Sequence, residues 1–571
     1  MHVDTIVRRH GDRVYESYLV RRSVREGKRV RKETVANISR LPAEAIEAVR
    51  RVLAGETLLA PEQSFRIERS LPHGHVAAVL GTLRRLGLER IIRRERSRER
   101  DLVAAMVCQR LLKPGSKLSA TRRLGLTTLG EELAVEEATE AGLLAAMDWL
   151  RARQERIEAA LARRELEPGG FVLYDLSSSW LEGTRCPLGA FGYSRDGKPG
   201  KLQITYGLTC SARGRPVAIE VFGGEIHDDA TLPEAAERLK VRFGIERVCF
   251  VGDRGMVKQA GVETLRSHGF DWITALTAPQ VRRLAREGDL QLSLFDETSL
   301  AELTSDDFPG ERLVVCRNPH VAAERSQTRE ELLEATERLL AEVKRSVDSP
   351  RGHLHRAPAG LIGERVGRVV NRYKVAKHVQ LTIEDGRFEY ARKQEEIAAE
   401  AALDGFYVLR TSLGEDVSAQ AVVRAYKQLA AGERAFRAMK APDLISLRPI
   451  HHRLEDRVRA HALLCMLAYA VRLEMEERLA ELLFVDDAPL APADPAAPAR
   501  RSQRAKAKAG TKRTQAGLAA HGFRDLLDAL ATLTRNRIRL AGHDLTFDQL
   551  TEQTPLQRRA FELLEVNPAH L

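Results

Sequence analysis

The chain has 571 residues and a mass of 63.7 kDa, enough for roughly two to four domain-sized units. With 43% hydrophobic and 30% charged residues it has the balance of a globular protein, which excludes wholesale disorder. Lys and Arg exceed Asp and Glu by 91 to 80, giving a net charge of +11 and a pI near 9.4, and this basic excess points toward a polyanionic partner. The cysteines (Cys108, Cys186, Cys210, Cys249, Cys316 and Cys465) stand far apart with no C-x-x-C pair. That spacing argues against a zinc ribbon, an iron–sulfur site or a disulfide framework, and for a reducing compartment. The first residues carry no apolar signal core, and the longest apolar run, near Ala462–Val471, is about half the ~20 residues of a membrane span, so a cytoplasmic protein with no membrane partner is expected.

Residues 13–38 alternate apolar and polar side chains on either side of Gly27, which predicts a β-hairpin. Between Arg21 and Lys32 it carries seven Lys or Arg and a single acid, Glu26. Arg21, Arg22, Lys28 and Arg29 are therefore candidate phosphate contacts on a ribbon, against the plainer reading of a solvated face. With the first helix this makes a unit over 1–60. Residues 61–166 read as helical, with apolar spacing of three to four at His75–Leu86 and Asp101–Leu112 and an Arg-rich stretch at Leu86–Arg100, the outline of a small helical DNA-binding region.

The pattern changes at 167. Strands are predicted at Phe171–Asp175, Lys201–Ser211, Pro216–Phe222, Val248–Asp253 and Trp272–Leu276, with helices at Ala230–Phe243 and Lys258–His268. Three strands followed by alternating helix and strand make an α/β fold with a mixed sheet flanked by helices. Residues 277–402 interrupt it with further strands and a long charged helix, Ala322–Val347. The sheet resumes at Asp404–Arg410, followed by a helix over 417–440 and one or two more across His451–Leu483. Residues 486–515 are Ala/Pro-rich and then basic, which predicts a disordered linker, and 516–571 read as a small C-terminal helical segment.

Three acids stand out. Asp175 and Asp253 lie at predicted strand ends, and Glu433 lies mid-helix. Tyr426, Glu433 and Lys440 are seven apart, within about 20° of two full turns, so a straight helix would carry them on one stripe with Arg437 close by. A carboxylate between a phenol and an ammonium suits phosphodiester chemistry. Carboxylates can hold two Mg²⁺ ions, with Mn²⁺ as the alternative, while Tyr and Lys position phosphates.

These segments resemble the insertion-sequence DDE transposases of bacteria, in particular the cut-and-paste group with the pattern Y-x2-R-x3-E-x6-K. Here the pattern reads Tyr426, Leu429 in place of Arg, Glu433 and Lys440. Tyr174-Asp175-Leu-Ser-Ser-Ser, Val251-Gly-Asp253-Arg-Gly-Met, Gly192–Lys198 and Gly223–Leu232 are similar to other blocks of that family. The resemblance covers roughly residues 80–480. It implies an RNase H-like catalytic core over 167–485 with an inserted β-containing subdomain (277–402), and the 180 residues between Asp253 and Glu433 leave space for it. It further implies that Asp175, Asp253 and Glu433 hold two metal ions. The partners would be double-stranded DNA, as element ends (terminal inverted repeats) and target, and a second copy of the chain in the synaptic complex, in a nucleoid-associated setting. Arg254, Tyr193, Arg195 and Lys198 are further DNA-contact candidates. The rival readings are an RNase H-like nuclease or resolvase without strand transfer, and an idle DNA-binding relative. The presence of all three acids weighs against idleness.

Gly192–Lys198 also fits G-x-x-x-x-G-K, but Pro199 replaces the Ser or Thr a nucleotide-binding loop needs and a strand follows, so ATP binding is rejected. Finally, Gln291-Leu-Ser-Leu294-Phe295 resembles the peptide by which bacterial proteins dock on the DNA-polymerase sliding clamp, with Leu294 and Phe295 as anchors; the alternative is an ordinary apolar patch.

Overall fold

The computed structural model describes residues 1–56, 65–295, 298–489, 500–540 and 544–571. The chain forms two compact units. One comprises Met1–Leu71 and Thr534–Glu552; the other comprises Pro72–Leu533 and Gln553–Leu571.

In the smaller unit, β1 (His2–His10), β2 (Arg13–Glu26) and β3 (Arg29–Asn37) form an antiparallel meander, with Gly11 and Gly27 at positive φ in its two turns. The expected hairpin thus gains a strand: His2–Arg9 pairs with Val14–Arg21, although its mixed composition gave little alternation to read. β3 is exposed along its whole length. β4 (Phe65–Pro72) begins the region expected to be wholly helical.

The larger unit is built around a mixed sheet of eight described strands. They are β5 (Phe171–Trp180), β6 (Gln203–Ser211), β7 (Pro216–Gly223), β8 (Cys249–Val251), β9 (Asp271–Ala275), β10 (Leu300–Leu303), β11 (Arg312–Arg317) and β14 (Phe406–Thr411). Their spatial order is β10-β11-β14-β9-β8-β5-β6-β7. β5, β6 and β7 are antiparallel neighbours, β8 runs parallel to β5 and β9 parallel to β8, and β14, β11 and β10 close the far edge antiparallel. β6 is buried at every position, as a strand covered on both faces must be, although Gln203, Thr205, Thr209 and Ser211 alternate with its apolar residues. Helices Gln154–Glu165 and Glu455–Arg478 pack on β7. The second of these is the apolar run of the sequence: residues 460–472 are buried throughout, and no described helix is long and apolar enough to cross a membrane.

The interruption after β9 is smaller than the sequence implied, because β10 and β11 join the main sheet. What projects is Pro319–Asp348, a long helix, followed by helix Ala359–Arg372, the hairpin β12 (Val379–Glu384) with β13 (Arg387–Arg392), and helix Gln394–Ala401. These pieces share a core of their own built on Leu333, Leu340, Ile362, Val366 and Phe388.

Two further expectations are corrected. Part of the expected disordered linker lies outside the described residues, but Gln503–Thr511 is a helix. It is capped by Ser502, and Lys508 is buried with its ammonium donating to Ala480 O at 2.7 Å and facing Asp487. The basic composition hid an anchoring acid upstream. The C-terminal segment is also not purely helical: β15 (Thr534–Leu540) and β16 (Thr546–Leu550) form a three-stranded sheet with β4 before helix Pro555–Leu564.

The far edge of the large sheet is tied by a buried ion pair. Arg410 of β14, 4% exposed, places its guanidinium on both oxygens of Glu311, 7% exposed, with Nε to Oε2 at 2.6 Å. Removing one partner strands the other charge in the interior. Glu311→Ala should therefore lower unfolding stability by about 3–5 kcal/mol, measured by denaturant unfolding of the intact chain. A loss below about 1 kcal/mol would show the pair to be dispensable.

Candidate active site

The site starts from a register. The parallel pair β5–β8 is hydrogen-bonded only as far as Leu173 opposite Val251. Two residues further along each strand direction stand Asp175 and Asp253, so both acids lie at the same level, just past the end of the parallel pairing, where α/β sheets place their ligands. Asp253 follows β8 as the sequence implied. Asp175 does not end its strand, because β5 continues to Trp180, paired only with β6. Alternation puts the neighbouring Tyr174 on the opposite face, where its hydroxyl meets Glu220 across side-chain-free Gly207.

The third acid arrives on a helix that is bent. Ala419–Gln428 and Ala430–Lys440 are separate helices joined at Leu429 through three-residue hydrogen bonds, Leu429 N–H to Tyr426 O and Gly432 N–H to Leu429 O. The single straight stripe of Tyr426, Glu433 and Lys440 is therefore broken at the bend. The second helix packs on β5 and β6, and its closest approach is at Gly432, where a Cβ would stand 2.8 Å from the Asp175 Cβ and 3.2 Å from its Oδ2. A larger residue there would push Glu433 away from Asp175.

Electrostatics show the other two acids acting on Asp175. Asp175 is pushed up from an ordinary 3.8 to about 7, first by burial and then by Glu433 and Asp253, opposed by the Leu176 N–H on its Oδ1 (2.9 Å) and by Arg195. Tyr426 is pushed up to about 12 by burial and by Asp253 and Glu433, against Arg254. Asp253 is exposed, and its Oδ1 accepts the N–H groups of Gly255 (2.6 Å) and Met256 (3.1 Å), which fixes the loop that presents it. Among the described residues no three His, Cys, Asp or Glu side chains stand as a ready-made metal cage. The chemistry of the three side chains is that of ligands for a hard divalent cation, and one of them, Asp175, is destabilised as an anion by the other two.

The Gly192–Lys198 loop frames the crevice. Tyr193 is 77% exposed and its neighbour Phe191, which sequence reasoning missed, is 71% exposed. The only signal for Phe191 was an aromatic inside a Gly-rich polar loop. Arg195 is held on three sides: its N–H by Ser178 Oγ at 3.1 Å, its guanidinium by Asp228 at 2.5 Å, and its face near the Tyr193 ring. Asp228 and Asp229 were also missed. Asp229 binds Lys258 at 2.9 Å, so this acidic pair ties the Arg195 loop to the loop that carries Asp253. Lys198 lies over the Trp180 ring, with Arg448 also against that ring.

Lys440 does not face the crevice as a free cation. It is 7% exposed, and its ammonium donates to Asp196 Oδ1 at 2.9 Å, an oxygen shared with Arg448 at 2.6 Å. Arg254 and Arg437 are exposed. In the smaller unit Arg21 is paired with Asp4 (3.0 Å) and Arg22 with Glu33 (2.7 Å), while Lys28 and Arg29 are exposed at the Gly27 turn. The clamp-docking peptide is corrected by its burial: Leu292–Phe295 is a short helical turn whose Phe295, 3% exposed, packs edge-on against Phe406 at 5.0 Å. Its anchor serves the protein's own core, and Gln291 is exposed beside it; the Leu294 side chain lies outside the described residues.

The model of the IS1634 family transposase N-terminal domain matches residues 3–64, and the model of the transposase DDE domain matches residues 189–471, a span that includes Asp253 and Glu433 and begins after Asp175. No curated protein matches the chain. Among solved structures, a cryo-EM structure of the piggyBac transposase synaptic complex with hairpin DNA aligns over 80% of this chain and 76% of that one, at 10% identity and a TM-score of 0.32, a likeness too distant to bear on the site. The domain matches and the paired acids define a DDE transposase, an enzyme class that cleaves DNA, transfers strands and works with divalent metal ions. The chain is an insertion-sequence transposase with an N-terminal domain of the IS1634 family.

Two outcomes are expected. Because the folded Asp175 holds its proton more tightly than the unfolded chain does, its contribution to stability is lost as pH rises from 3.8 to about 7. Without divalent ions, the Tm advantage of Asp175→Asn over the parent should grow across that window and level off above it; a difference independent of pH would refute the assignment. Gly432→Ala should keep its fold, since the helix gains about 1 kcal/mol of propensity. DNA cleavage by this variant should fall roughly 100-fold as the acids are forced apart; wild-type cleavage would show that the close approach has no role.

Proposed function

We propose that Asp175, Asp253 and Glu433 are the catalytic triad of an RNase H-like domain, acting on the terminal inverted repeats of the chain's own element. The observation that carries this reading is the shared level of Asp175 and Asp253 beyond the Leu173–Val251 pairing, with Glu433 delivered against Asp175 by Gly432. The order β7-β6-β5-β8-β9, three antiparallel strands followed by two parallel ones, supports the RNase H-like assignment. Residues 167–485 would form this catalytic domain, with the insertion narrowed to the part that projects from the sheet; 1–60 and 61–166 would be DNA-binding regions.

The three carboxylates would hold two divalent ions of the Mg²⁺ class, which when bound neutralise phosphate charge and make an attacking oxygen nucleophilic. The chain's own groups do the rest. Tyr426, kept protonated by burial and by its anionic neighbours, donates a hydrogen bond to a phosphate oxygen. Arg195, clamped by Asp228, offers a fixed cation beside Asp175, with Arg254 and Arg437 exposed nearby. Phe191 and Tyr193 offer stacking faces for bases, and Lys198 a phosphate contact. Lys440 acts as an anchor for the Gly192–Lys198 loop through Asp196. The ribbon of the N-terminal unit contributes Lys28 and Arg29 as phosphate contacts, with Arg21 and Arg22 available once their acidic partners yield. Joining two element ends calls for two copies of the chain.

The test uses the intact chain with oligonucleotide ends and Mg²⁺. Asp175→Asn, Asp253→Asn and Glu433→Gln should each lower end cleavage and strand transfer by more than about 100-fold while keeping salt-sensitive DNA binding. Strand transfer that survives in any one of the three removes that residue from the triad.

A further inference from the structure

A second charged cluster lies outside the carboxylate crevice. Helix Arg98–Leu112 contributes Arg110, helix Lys117–Leu124 contributes Lys117 just after its capping Ser116, His452 comes from the chain entering helix Glu455–Arg478, and His461 from within that helix. Arg110, Lys117 and His461 are 7%, 6% and 5% exposed. Arg110 donates only to carbonyls, those of Ile445 (3.4 Å), Ser446 (3.3 Å) and Gly115 (3.2 Å), so nothing neutralises its charge. The Lys117 ammonium makes no hydrogen bond or ion pair with any described group. The His461 Nε2–H donates to Leu447 O at 3.2 Å with Cys465 Sγ at 3.9 Å, its Nδ1 has no partner among the described residues, and its ring lies 5.4 Å from that of His452.

The groups that act on them are one another, His451, Arg457 (already paired with Asp148) and the Cys465 thiol, which raises Lys117. No carboxylate is among them. Burial, with Arg110 adding to it, pulls Lys117 down to about 7, and burial and the same cations pull His452 down to about 3. Buried cations are ordinarily paired, because leaving one unpaired in the interior costs heavily. The cluster reaches the surface through half-buried His452 and exposed His451. A compact anion with several acceptor oxygens would satisfy the free donors of Lys117 and Arg110 at once.

We propose that Arg110, Lys117 and His452 form a binding site for a phosphate-class oxyanion, separate from the catalytic acids. Its ligand is either free phosphate or a phosphodiester of bound DNA; only the second source rests on the transposase reading.

The test uses the full-length chain without divalent ions. Inorganic phosphate, titrated against chloride at matched ionic strength, should raise the Tm of the parent and leave Lys117→Met and Lys117→Gln unmoved. Without phosphate, Lys117→Met should melt no lower than the parent, because a methionine removes an uncompensated charge, and this separates lost binding from misfolding. In the second arm, a duplex of arbitrary sequence is bound at several salt concentrations. A slope of log K against log salt that is smaller by about one in Lys117→Met assigns the site to the DNA backbone. An unchanged slope with a retained phosphate response assigns it to free phosphate. Equal phosphate response in parent and variants, with equal slopes, overturns the proposal. Asp253→Asn should keep the phosphate response, so failure here and failure of the catalytic reading are read separately.

Discussion

Asp175 is held where burial and two neighbouring carboxylates all oppose its ionisation. That constraint organises the catalytic half of the molecule. It needs two parallel strands that stop pairing at the same level, so that Asp175, still held by β6, and Asp253 stand just past the end of that pairing. It also needs a helix able to come within side-chain distance of β5, which only a glycine at 432 permits. The bend at Leu429 follows from the same demand: a helix tethered upstream by Ala419, Val422 and Val423 in the core must turn to lay Gly432 on Asp175.

Around the acids the cations are not left loose. Arg195 is fixed by Asp228, Lys258 by Asp229, and Lys440 and Arg448 by Asp196. Each pair joins a loop to a neighbouring element, so the charges that face the crevice are prepositioned. Their purpose differs from that of the buried Arg410–Glu311 pair, which ties strands of the sheet edge together. The cluster at Lys117 is the exception to this economy: its cations have no acid, although the protein supplies acids freely elsewhere.

The opposite face of the sheet is treated differently again. Tyr174, Glu220, Glu158 and Arg238 form a buried polar set beneath helix Gln154–Glu165, with Glu220 pushed up to about 7 by burial. Adjacent residues of one strand thus serve two chemistries, because strand alternation sends Tyr174 and Asp175 to opposite sides.

Much of the larger unit was legible in the sequence. Buried strands read as apolar runs, the three acids stood in family-like blocks, and the apolar stretch of helix Glu455–Arg478 was too short for a membrane and long enough for a core. These features depend on side-chain chemistry at short spacing, which a linear chain displays directly. The rest depended on partners far apart along the chain. The pairing of β1 with β2, the entry of β10 and β11 into the main sheet, and the joining of β15 and β16 to β4 left no local signature. The burial of Phe295 against Phe406 and the capture of Lys440 by Asp196 were equally hidden. Residue identity and period settled which side chains could act and which segments would fold as helix or strand. Only the tertiary structure settled which charges are neutralised and which stand free, because that depends on distances between segments hundreds of residues apart.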